Sequence, residues 1–288
     1  MIDKNRKFFL KRLFNKLFSH PLHFSVCYAY SFFFGSVKSK IKNDVFVRPY
    51  YAFGIYEAAL RAQHLGIRKI SCIEFGVANG KGLSTMAIYS KKIEKILDVE
   101  ISIIGFDSGE GMPVHEGYKD HPEIYVQGDF PMQDFEQLKK ILPSNAKLII
   151  ANLNNEDWTK YIEEDAPIGF VAIDVDYYSS TVNILKHLNH ISTKKLLPSS
   201  LYYFDDVILD NHNAYQGELL AINEFNAASG FRKFDSYHLR LKQKQRFYND
   251  IWLSQIYQLH CMDHPVRSEP YRKQNEAPQV ITNRYLKT

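Results

Sequence analysis

Short apolar runs alternate with helical patterns over residues 69–228, and this alternation limits the fold more than any other feature of the sequence. Five apolar runs predict strands at 69–75, 101–106, 147–151, 168–173 and 201–204. Helical spacing of apolar residues predicts helices at 82–97, 134–142, 157–164, 180–191 and 218–228. Strands that are apolar along most of their length are typical of a parallel sheet buried on both faces. The chain is therefore predicted to be an α/β protein with a Rossmann-like, doubly wound, mostly parallel sheet.

The segment before this alternation is basic. Residues 1–43 hold nine Lys or Arg and one acid, Asp3, so this segment carries +8 while the whole chain carries +4, which leaves −4 for the rest. Residues 5–18 have Phe and Leu at helical spacing between the bases, and 51–66 is a second helical pattern. The first helix is interpreted either as packing on its own domain or on the partner in a homodimer, or as lying on an anionic membrane surface.

The length of 288 residues allows one large α/β domain with appendages, or two small domains. We predict a basic helical arm or cap at 1–50, a core domain at 51–240, and a C-terminal strand and tail at 241–288 that complete the sheet. The three cysteines lack metal-site spacing, and no apolar run reaches the ~18 residues of a spanning helix. These features predict a cytoplasmic protein, either free or peripheral at the inner membrane surface. The weakly acidic body argues against nucleic acid as a partner.

A glycine-rich turn follows the first predicted strand and has the sequence Glu74-Phe75-Gly76-Val77-Ala78-Asn79-Gly80. Ligands of parallel sheets bind beyond the carboxyl ends of the strands, where glycine lets the backbone approach them closely. The G-x-G-x-x-G spacing of dinucleotide-binding proteins is absent. Glu74 suits a ligand with a cationic group, and S-adenosylmethionine carries both a sulfonium and an ammonium group. The turn is therefore predicted to bind this cofactor.

Polar residues also follow the second and third predicted strands. Asp107 ends the second strand, where a carboxylate can accept hydrogen bonds from both ribose hydroxyls, although an acid there can also cap a helix. Asn152 follows the third strand, with Asn154 and Asn155 nearby, and is predicted to face the adenine. Asp129 is the weaker candidate for that contact because it precedes a helix rather than following a strand.

Four carboxylates follow the fourth and fifth predicted strands, in Asp174-Val175-Asp176 and Asp205-Asp206. Neighbouring parallel strands end at the same edge, so these like charges would repel one another unless a cation lies between them. Mg²⁺ is a suitable cation because it prefers oxygen ligands, and a bound metal acidifies a substrate hydroxyl. Asp176 is a candidate for the general base that takes the proton of this hydroxyl. The alternative is that the acids are solvated and cap the following helices.

The ordered motifs resemble the macrocin O-methyltransferase family of class I S-adenosylmethionine-dependent methyltransferases, which methylate sugar hydroxyls of antibiotics. The resemblance covers about residues 70–228 and rests on the glycine turn, 105–113, 174–181, Leu197-Pro198 and Phe204-Asp205-Asp206. It implies cofactor contacts from Glu74, Gly76, Asp107 and Ser108. It also implies that Mg²⁺ is bound by Asp174, Asp205 and Asp206, and that Asp176 takes the proton of the hydroxyl. The family's Pro-Gly-Gly before the fifth strand is replaced by Pro198-Ser199-Ser200.

The sequence therefore predicts an O-methyltransferase that uses S-adenosylmethionine and Mg²⁺ on a hydroxyl of a sugar, another polyhydroxylated small molecule or a glycan. Two other functions stay open: a metal-independent methyltransferase of the same fold, and a non-catalytic cofactor-binding protein attached to a membrane. A nicotinamide oxidoreductase is disfavoured because the dinucleotide glycine spacing is missing. His212, just past the acid pair, is predicted to be a surface-loop histidine, with assistance in substrate binding as the alternative.

Overall fold

The computed structural model describes residues 10, 11, 13–15, 22–153, 156–208, 212–244 and 250–268. Within these ranges the strands are β1 (Lys69–Phe75), β2 (Glu100–Asp107), β3 (Ala146–Ile150), β4 (Ile168–Ile173), β5 (Leu196–Phe204), β6 (Arg232–Ser236) and β7 (Ile256–Cys261). The α-helices are α1 (Leu22–Phe34), α2 (Val37–Lys42), α3 (Pro49–His64), α4 (Lys81–Leu97), α5 (Phe135–Ile141), α6 (Tyr178–Leu185), α7 (Gly217–Ala228) and α8 (His238–Lys244). Short 3₁₀ turns occur in several of the connections.

The strands form one sheet in the order β3-β2-β1-β4-β5-β7-β6. Strands β1 to β5 pair in parallel, whereas β7 pairs antiparallel with both β5 and β6. The strand order reverses between β1 and β4, and ligands of doubly wound sheets bind at this crossover. The predicted α/β, Rossmann-like, mostly parallel sheet is confirmed.

Both faces of the sheet are covered by helices, which explains why its strands are apolar at successive positions. In β1, Cys72 packs into the core beneath α3 and α4, whereas Ile73 packs into the core beneath α6 and α7. In β2, Ile103 packs into the core beneath α3 and α4, and Ile104 packs into the core beneath α6 and α7. Successive side chains of a strand point to opposite faces, so a strand between two helical layers needs apolar residues in both directions.

Strand β5 begins at Leu196, so the strand predicted at 201–204 was too short. Pro198, Ser199 and Ser200, which were predicted to precede the strand, lie inside it. The pairing of β4 with β5 shifts register between Ile168 and 170, and such an irregularity lets a proline without an N–H occupy a strand. The sequence did not predict that β5 begins at Leu196, because Pro198, Ser199 and Ser200 interrupt the run of apolar residues.

The predicted helices are present with shifted ends, except the one at 157–164. Helix α3 begins at Pro49, because proline suits the first turn of a helix, and it ends at His64. Helix α6 ends at Leu185 and is followed by a 3₁₀ turn over Lys186–Asn189, where one helix to 191 was predicted. The helix predicted at 157–164 is a 3₁₀ turn over Trp158–Tyr161.

The N-terminal extension is helical at residues 10, 11 and 13–15, and the rest of the helix predicted at 5–18 lies outside the described residues. Helices α1 and α2 pack together, with the Oγ atoms of Ser31 and Ser39 2.8 Å apart. The Trp252 indole N–H donates to the Asp44 carboxylate at 3.3 Å, which joins this extension to the segment before β7. Among the described residues, none of the helices has the length and apolar character needed to cross a membrane.

Candidate active site

A cavity of about 570 Å³ opens at the carboxyl ends of the parallel strands, where the strand order reverses. Most of the predicted site residues line it: Glu74, Gly76, Asp107, Ser108, Asn152, Asp174, Asp176 and Asp205. Gly80, at the start of α4, and Asp206, which is 3% exposed, are not part of the lining. The fold therefore brings residues that follow β1, β2, β3, β4 and β5 to one cavity.

The glycines of the turn are required by contacts inside the protein. Gly76 has a φ of 82°, and a Cβ added to it would lie 1.7 Å from the Asp174 carbonyl oxygen. A Cβ added to Gly82 would lie 1.8 Å from the Glu74 carboxylate, and one added to Gly80 would meet a side chain of α5. The glycines were expected to admit a ligand, and the structure shows that Gly76 also admits the backbone that follows β4.

Replacing Gly76 with alanine is expected to lower the free energy of unfolding by about 3 kcal/mol, because left-handed backbone (about 1–2 kcal/mol) and overpacking against β4 both contribute. Gly66→Ala is the matched control, since Gly66 also has a positive φ, 72°, but an added Cβ there meets nothing within 4 Å. Urea denaturation of both variants measures the difference. Equal losses of stability would show that the contact between the turn and β4 does not require glycine.

Glu74 lies at the end of β1 and is 1% exposed. The Tyr51 hydroxyl donates a hydrogen bond to its Oε1 at 2.6 Å, and its Oε2 has no hydrogen-bond partner among the described residues. Burial raises the pKa of Glu74 to about 7 and outweighs the lowering by the Tyr51 hydroxyl and the Arg48 charge. A buried carboxylate with one unpaired oxygen at a cavity wall is suited to a cationic group of a ligand.

Asp107, at the end of β2, fixes the shape of the glycine turn. Its Oδ2 accepts hydrogen bonds from the backbone N–H groups of Val77 and Ala78, both at 2.8 Å, and its Oδ1 accepts one from Gly109 at 2.6 Å. A carboxylate has about four lone-pair positions, so part of its accepting capacity remains for a ligand. The contact of Asp107 with a ribose stays a prediction, and the structure adds a role in holding the turn.

The other predicted cofactor contacts that line the cavity are Ser108 and Asn152. Ser108 accepts a hydrogen bond from the Glu110 N–H at 3.2 Å, so its hydroxyl is held within the loop that follows β2. Both candidates for the adenine contact, Asn152 and Asp129, line the cavity. Asn154 and Asn155 lie outside the described residues.

Backbone hydrogen bonds hold Asp174 and Asp205 at the ends of the adjacent strands β4 and β5. The Asp174 N–H donates to the Phe75 carbonyl oxygen at 3.0 Å, and the Asp205 N–H donates to that of Ile173 at 3.1 Å, so the parallel ladder continues beyond the strands. One carboxylate oxygen from each of Asp174, Asp205 and Asp206 lies within 4.8 Å of the other two. We call these three residues the acid cluster.

The carboxylates are close enough to change one another's protonation. Burial and the charges of Asp205 and Asp176 raise the pKa of Asp174 well above its ordinary value. Burial and the charges of Asp176 and Asp205 raise the pKa of Asp206 to about 9, and burial raises the pKa of Asp176. Like charges at these distances persist only when some groups are protonated or a cation is bound.

Three further side chains contact the acid cluster and were missed in the sequence. The Tyr203 hydroxyl donates to the Asp205 carboxylate, and the Tyr125 hydroxyl donates to the Asp206 Oδ1 at 3.3 Å. The fully buried Glu218 carboxylate of α7 accepts the Asp206 backbone N–H at 3.0 Å. Acids are common in the first turn of a helix, so nothing in the sequence separated Glu218 from an ordinary helix start.

Arg48 lines the cavity, although sequence analysis assigned it to the N-terminal arm. Its guanidinium donates to the Tyr51 hydroxyl at 3.4 Å, and its charge acts on Glu74 and Asp174. Arg48 therefore supplies a positive charge beside the acids. The only local feature that marked Arg48 was its position directly before the proline that begins α3. Its interactions with Glu74 and Asp174 join residues far apart in the chain, and no pattern in the sequence predicts them.

The prediction that His212 is a surface-loop histidine is wrong. Its side chain is 3% exposed, and its Nε2 lies 3.7 Å from the Asp206 Oδ1. The centroid of its ring is 5.0 Å from that of His121, which is itself fully buried. The polar residues around His212 suggested exposure, but a segment distant in sequence packs against it.

The structure is similar to solved methyltransferase structures at low sequence identity. The calicheamicin methyltransferase CalS11 matches with a TM-score of 0.46 and 18% identity, over 78% of this chain and 85% of that one. The plantazolicin methyltransferase BamL matches with a TM-score of 0.39 and 12% identity, over 88% and 96%. TomG, an O-methyltransferase from Streptomyces achromogenes, matches with a TM-score of 0.38 and 13% identity, over 73% and 87%. No family model and no curated protein matches the chain, so its function is argued below from the site alone.

Proposed function

We propose that the chain is an S-adenosylmethionine-dependent O-methyltransferase that requires Mg²⁺ and acts on a hydroxyl of a sugar, another polyhydroxylated small molecule or a glycan. One observation carries the proposal: a glycine turn with a buried carboxylate borders the same cavity as Asp174 and Asp205, two of the three carboxylates of the acid cluster. The first suits a cationic methyl donor, and the second suits a divalent cation with a hydroxyl acceptor. Transfer of the methyl group requires the two reactants side by side.

The occupied donors of the glycine turn favour this cofactor over a dinucleotide. Loops that bind pyrophosphate point free backbone N–H groups at the phosphates. Here the N–H groups of Val77 and Ala78 donate to Asp107, which carries a negative charge of its own. A phosphate at this point would meet an anion instead of free donors. The ammonium group of S-adenosylmethionine would instead donate a charge-assisted hydrogen bond to the unpaired Glu74 Oε2.

The donors of the acid cluster fit Mg²⁺. Three carboxylate oxygens that lie within 4.8 Å of one another could together hold a divalent cation if their side chains moved closer on binding, and Mg²⁺ prefers such oxygen ligands. The buried Asp206 Oδ2 has no hydrogen-bond partner among the described residues, as expected of an atom that serves a ligand. Bound by Asp174, Asp205 and Asp206, the ion would acidify the acceptor hydroxyl.

Asp176 is the general base in this proposal. It lines the cavity two positions after Asp174, and its raised pKa brings the carboxylate closer to the pH at which a base works best. Its backbone is left-handed, with a φ of 59°, and non-glycine residues in this conformation often occur at functional sites. Asp176 would accept the proton of the acceptor hydroxyl, and the cofactor bound beside the turn would supply the methyl group, whose bond to sulfur breaks to leave S-adenosylhomocysteine as its bond to the acceptor oxygen forms.

A metal-independent methyltransferase of the same fold is the second candidate, and Arg48 favours it. Burial lowers the pKa of Arg48, but its interactions with the Tyr51 and Tyr50 hydroxyls and with the Glu74 and Asp174 carboxyl groups raise it by more, so the guanidinium stays charged beside the acids. An arginine in this position could neutralise part of the acidic charge without a metal ion. The two candidates differ in whether the acid cluster binds a divalent cation.

Isothermal titration calorimetry with S-adenosylhomocysteine and with MgCl₂ tests the two parts of the proposal separately. We expect both to bind the wild type, and we expect Asp205→Asn to lose Mg²⁺ binding while it keeps S-adenosylhomocysteine binding. Asp165→Asn is the control, since Asp165 is exposed at the start of β4, far from the cavity. Cofactor binding without Mg²⁺ binding would favour the metal-independent candidate, and binding of NADH alone would contradict the methyltransferase proposal.

A further inference from the structure

Helix α1 exposes its most apolar side. Its buried residues are Ser25, Tyr28 and Ser31, which face the rest of the protein. The residues on the other side are between 61% and 76% exposed: Leu22, Val26, Tyr30, Phe33 and Phe34. A helix that only packed on its own domain would bury this second side, because burial of aliphatic and aromatic side chains is the main stabilising contribution of an amphipathic helix.

The exposed residues of α1 form a continuous stripe, which we call the α1 apolar stripe. Positions 22, 26, 30, 33 and 34 recur at intervals of three and four residues, so they share one side of the helix. The short helical segment before α1 also exposes apolar residues, since Leu10 is 49% and Phe14 62% exposed, while its Leu13 packs against the small core of Tyr28 and Val45. Exposed apolar surface of this extent usually marks an interaction site.

The segment that carries the α1 apolar stripe is basic. Residues 1–50 contain ten Lys or Arg and two acids, Asp3 and Asp44. Asp44 is 1% exposed and accepts a hydrogen bond from Trp252, so no acid is exposed among the described residues up to 50. Lys38 and Lys42 are exposed on α2, which packs directly against α1.

We propose that the α1 apolar stripe binds the surface of an anionic lipid bilayer. The apolar side chains would enter the boundary between headgroups and acyl chains, and Lys38 and Lys42 would contact the headgroup phosphates. Tyrosines such as Tyr30 are enriched at this depth, and Phe is common on the apolar face of helices that lie in the interface. The 13-residue helix is about 20 Å long, shorter than the ~30 Å hydrocarbon core, so α1 lies on the bilayer and does not cross it.

A second copy of the chain fits the α1 apolar stripe less well than a bilayer does. In a symmetric dimer the same patch meets itself, so the basic residues of both copies would come together. No exposed acid is present between residues 22 and 50 to pair with them. An anionic bilayer would instead supply the opposite charge to Lys38 and Lys42, which are exposed beside the stripe.

Sedimentation with vesicles tests the proposal on the full-length chain. The probe is vesicles of three parts phosphatidylcholine to one part phosphatidylglycerol, with pure phosphatidylcholine for comparison. We expect the wild type to bind the anionic vesicles, Val26→Glu/Phe33→Glu to bind at least tenfold more weakly, and Lys38→Gln/Lys42→Gln to bind with a weaker dependence on salt. The matched control is Phe231→Glu/Leu239→Glu, which changes two equally exposed apolar residues elsewhere and should bind like the wild type.

Circular dichroism melts check that each variant is folded. Tyr30→Ser provides a milder variant, because it removes one exposed ring without adding charge. We expect it to bind the anionic vesicles about threefold more weakly than the wild type. Equal binding by the wild type and the Val26→Glu/Phe33→Glu variant would overturn the proposal. Absence of vesicle binding, together with a dimer in sedimentation velocity that this variant abolishes, would assign the stripe to a second copy instead. None of these outcomes depends on the methyltransferase proposal.

Discussion

Asp174→Asn is expected to lower the rate of methyl transfer about 10³-fold and to leave S-adenosylhomocysteine affinity within threefold of the wild type. Asp174 is the member of the acid cluster that lines the cavity next to both the glycine turn and the proposed base. Loss of its charge would remove a ligand of the proposed ion and part of the activation of the hydroxyl, and such contributions amount to about 10²–10⁴-fold. Initial rates with saturating cofactor and acceptor measure the effect.

The same substitution is not expected to destabilise the protein in the absence of a divalent cation. Burial and the like charges of Asp205 and Asp176 raise the pKa of Asp174, so a neutral amide relieves repulsion at this position. We expect a thermal midpoint in EDTA at or above that of the wild type, which separates loss of activity from loss of folding. The control Asp165→Asn removes an exposed, weakly paired acid and should retain full activity. Full turnover by the wild type in excess EDTA would rule out the metal role.

Glu74→Gln is expected to weaken cofactor binding about 100-fold, which corresponds to the loss of one charge-assisted hydrogen bond of about 1.5–3 kcal/mol. The carboxylate has an unpaired buried oxygen at the cavity wall, and an amide in the same space cannot offer a negative charge to an ammonium group. Calorimetry with S-adenosylhomocysteine measures the affinity. Glu110→Gln is the matched control, because Glu110 lines the same cavity but is exposed. Equal affinities for both variants would contradict the assignment of Glu74.

The pH dependence of binding gives an independent test of Glu74. Its pKa is raised to about 7, so the carboxylate is mainly charged above pH 7 and mainly neutral below it. Affinity for the cationic ligand should therefore fall as the pH decreases below 7, by up to about tenfold per pH unit, and Glu74→Gln should lose this dependence. Tyr51→Phe removes a hydrogen bond that lowers the pKa of Glu74, so the fall in affinity should begin at a higher pH. A wild-type affinity that does not change between pH 5 and 8 would contradict the proposed contact between the Glu74 carboxylate and the cationic ligand.

The sequence determined the sheet and the edge of the sheet at which the candidate site lies. Strands that must be apolar toward two helical layers leave a local pattern, and β1 and β4 were predicted with the ends that the structure has. The carboxyl ends of parallel strands meet at one edge, so the positions of Glu74 and Asp107 at the ends of their strands, and of Asp174 directly after its strand, were enough to group them.

Only the tertiary structure decided which residues surround these acids and how. Arg48 reaches the site from the position before α3, Tyr51 from α3 and Glu218 from α7. His212 is buried by the segment of His121. Each of these contacts joins residues far apart in the chain, and neither helical periodicity nor strand alternation encodes such a pairing. The same holds for the exposed side of α1, because apolar composition alone does not say which face of a helix the rest of the protein covers. Local patterns follow from backbone geometry, which is set within a few residues, whereas burial and charge environment are set by packing between distant segments.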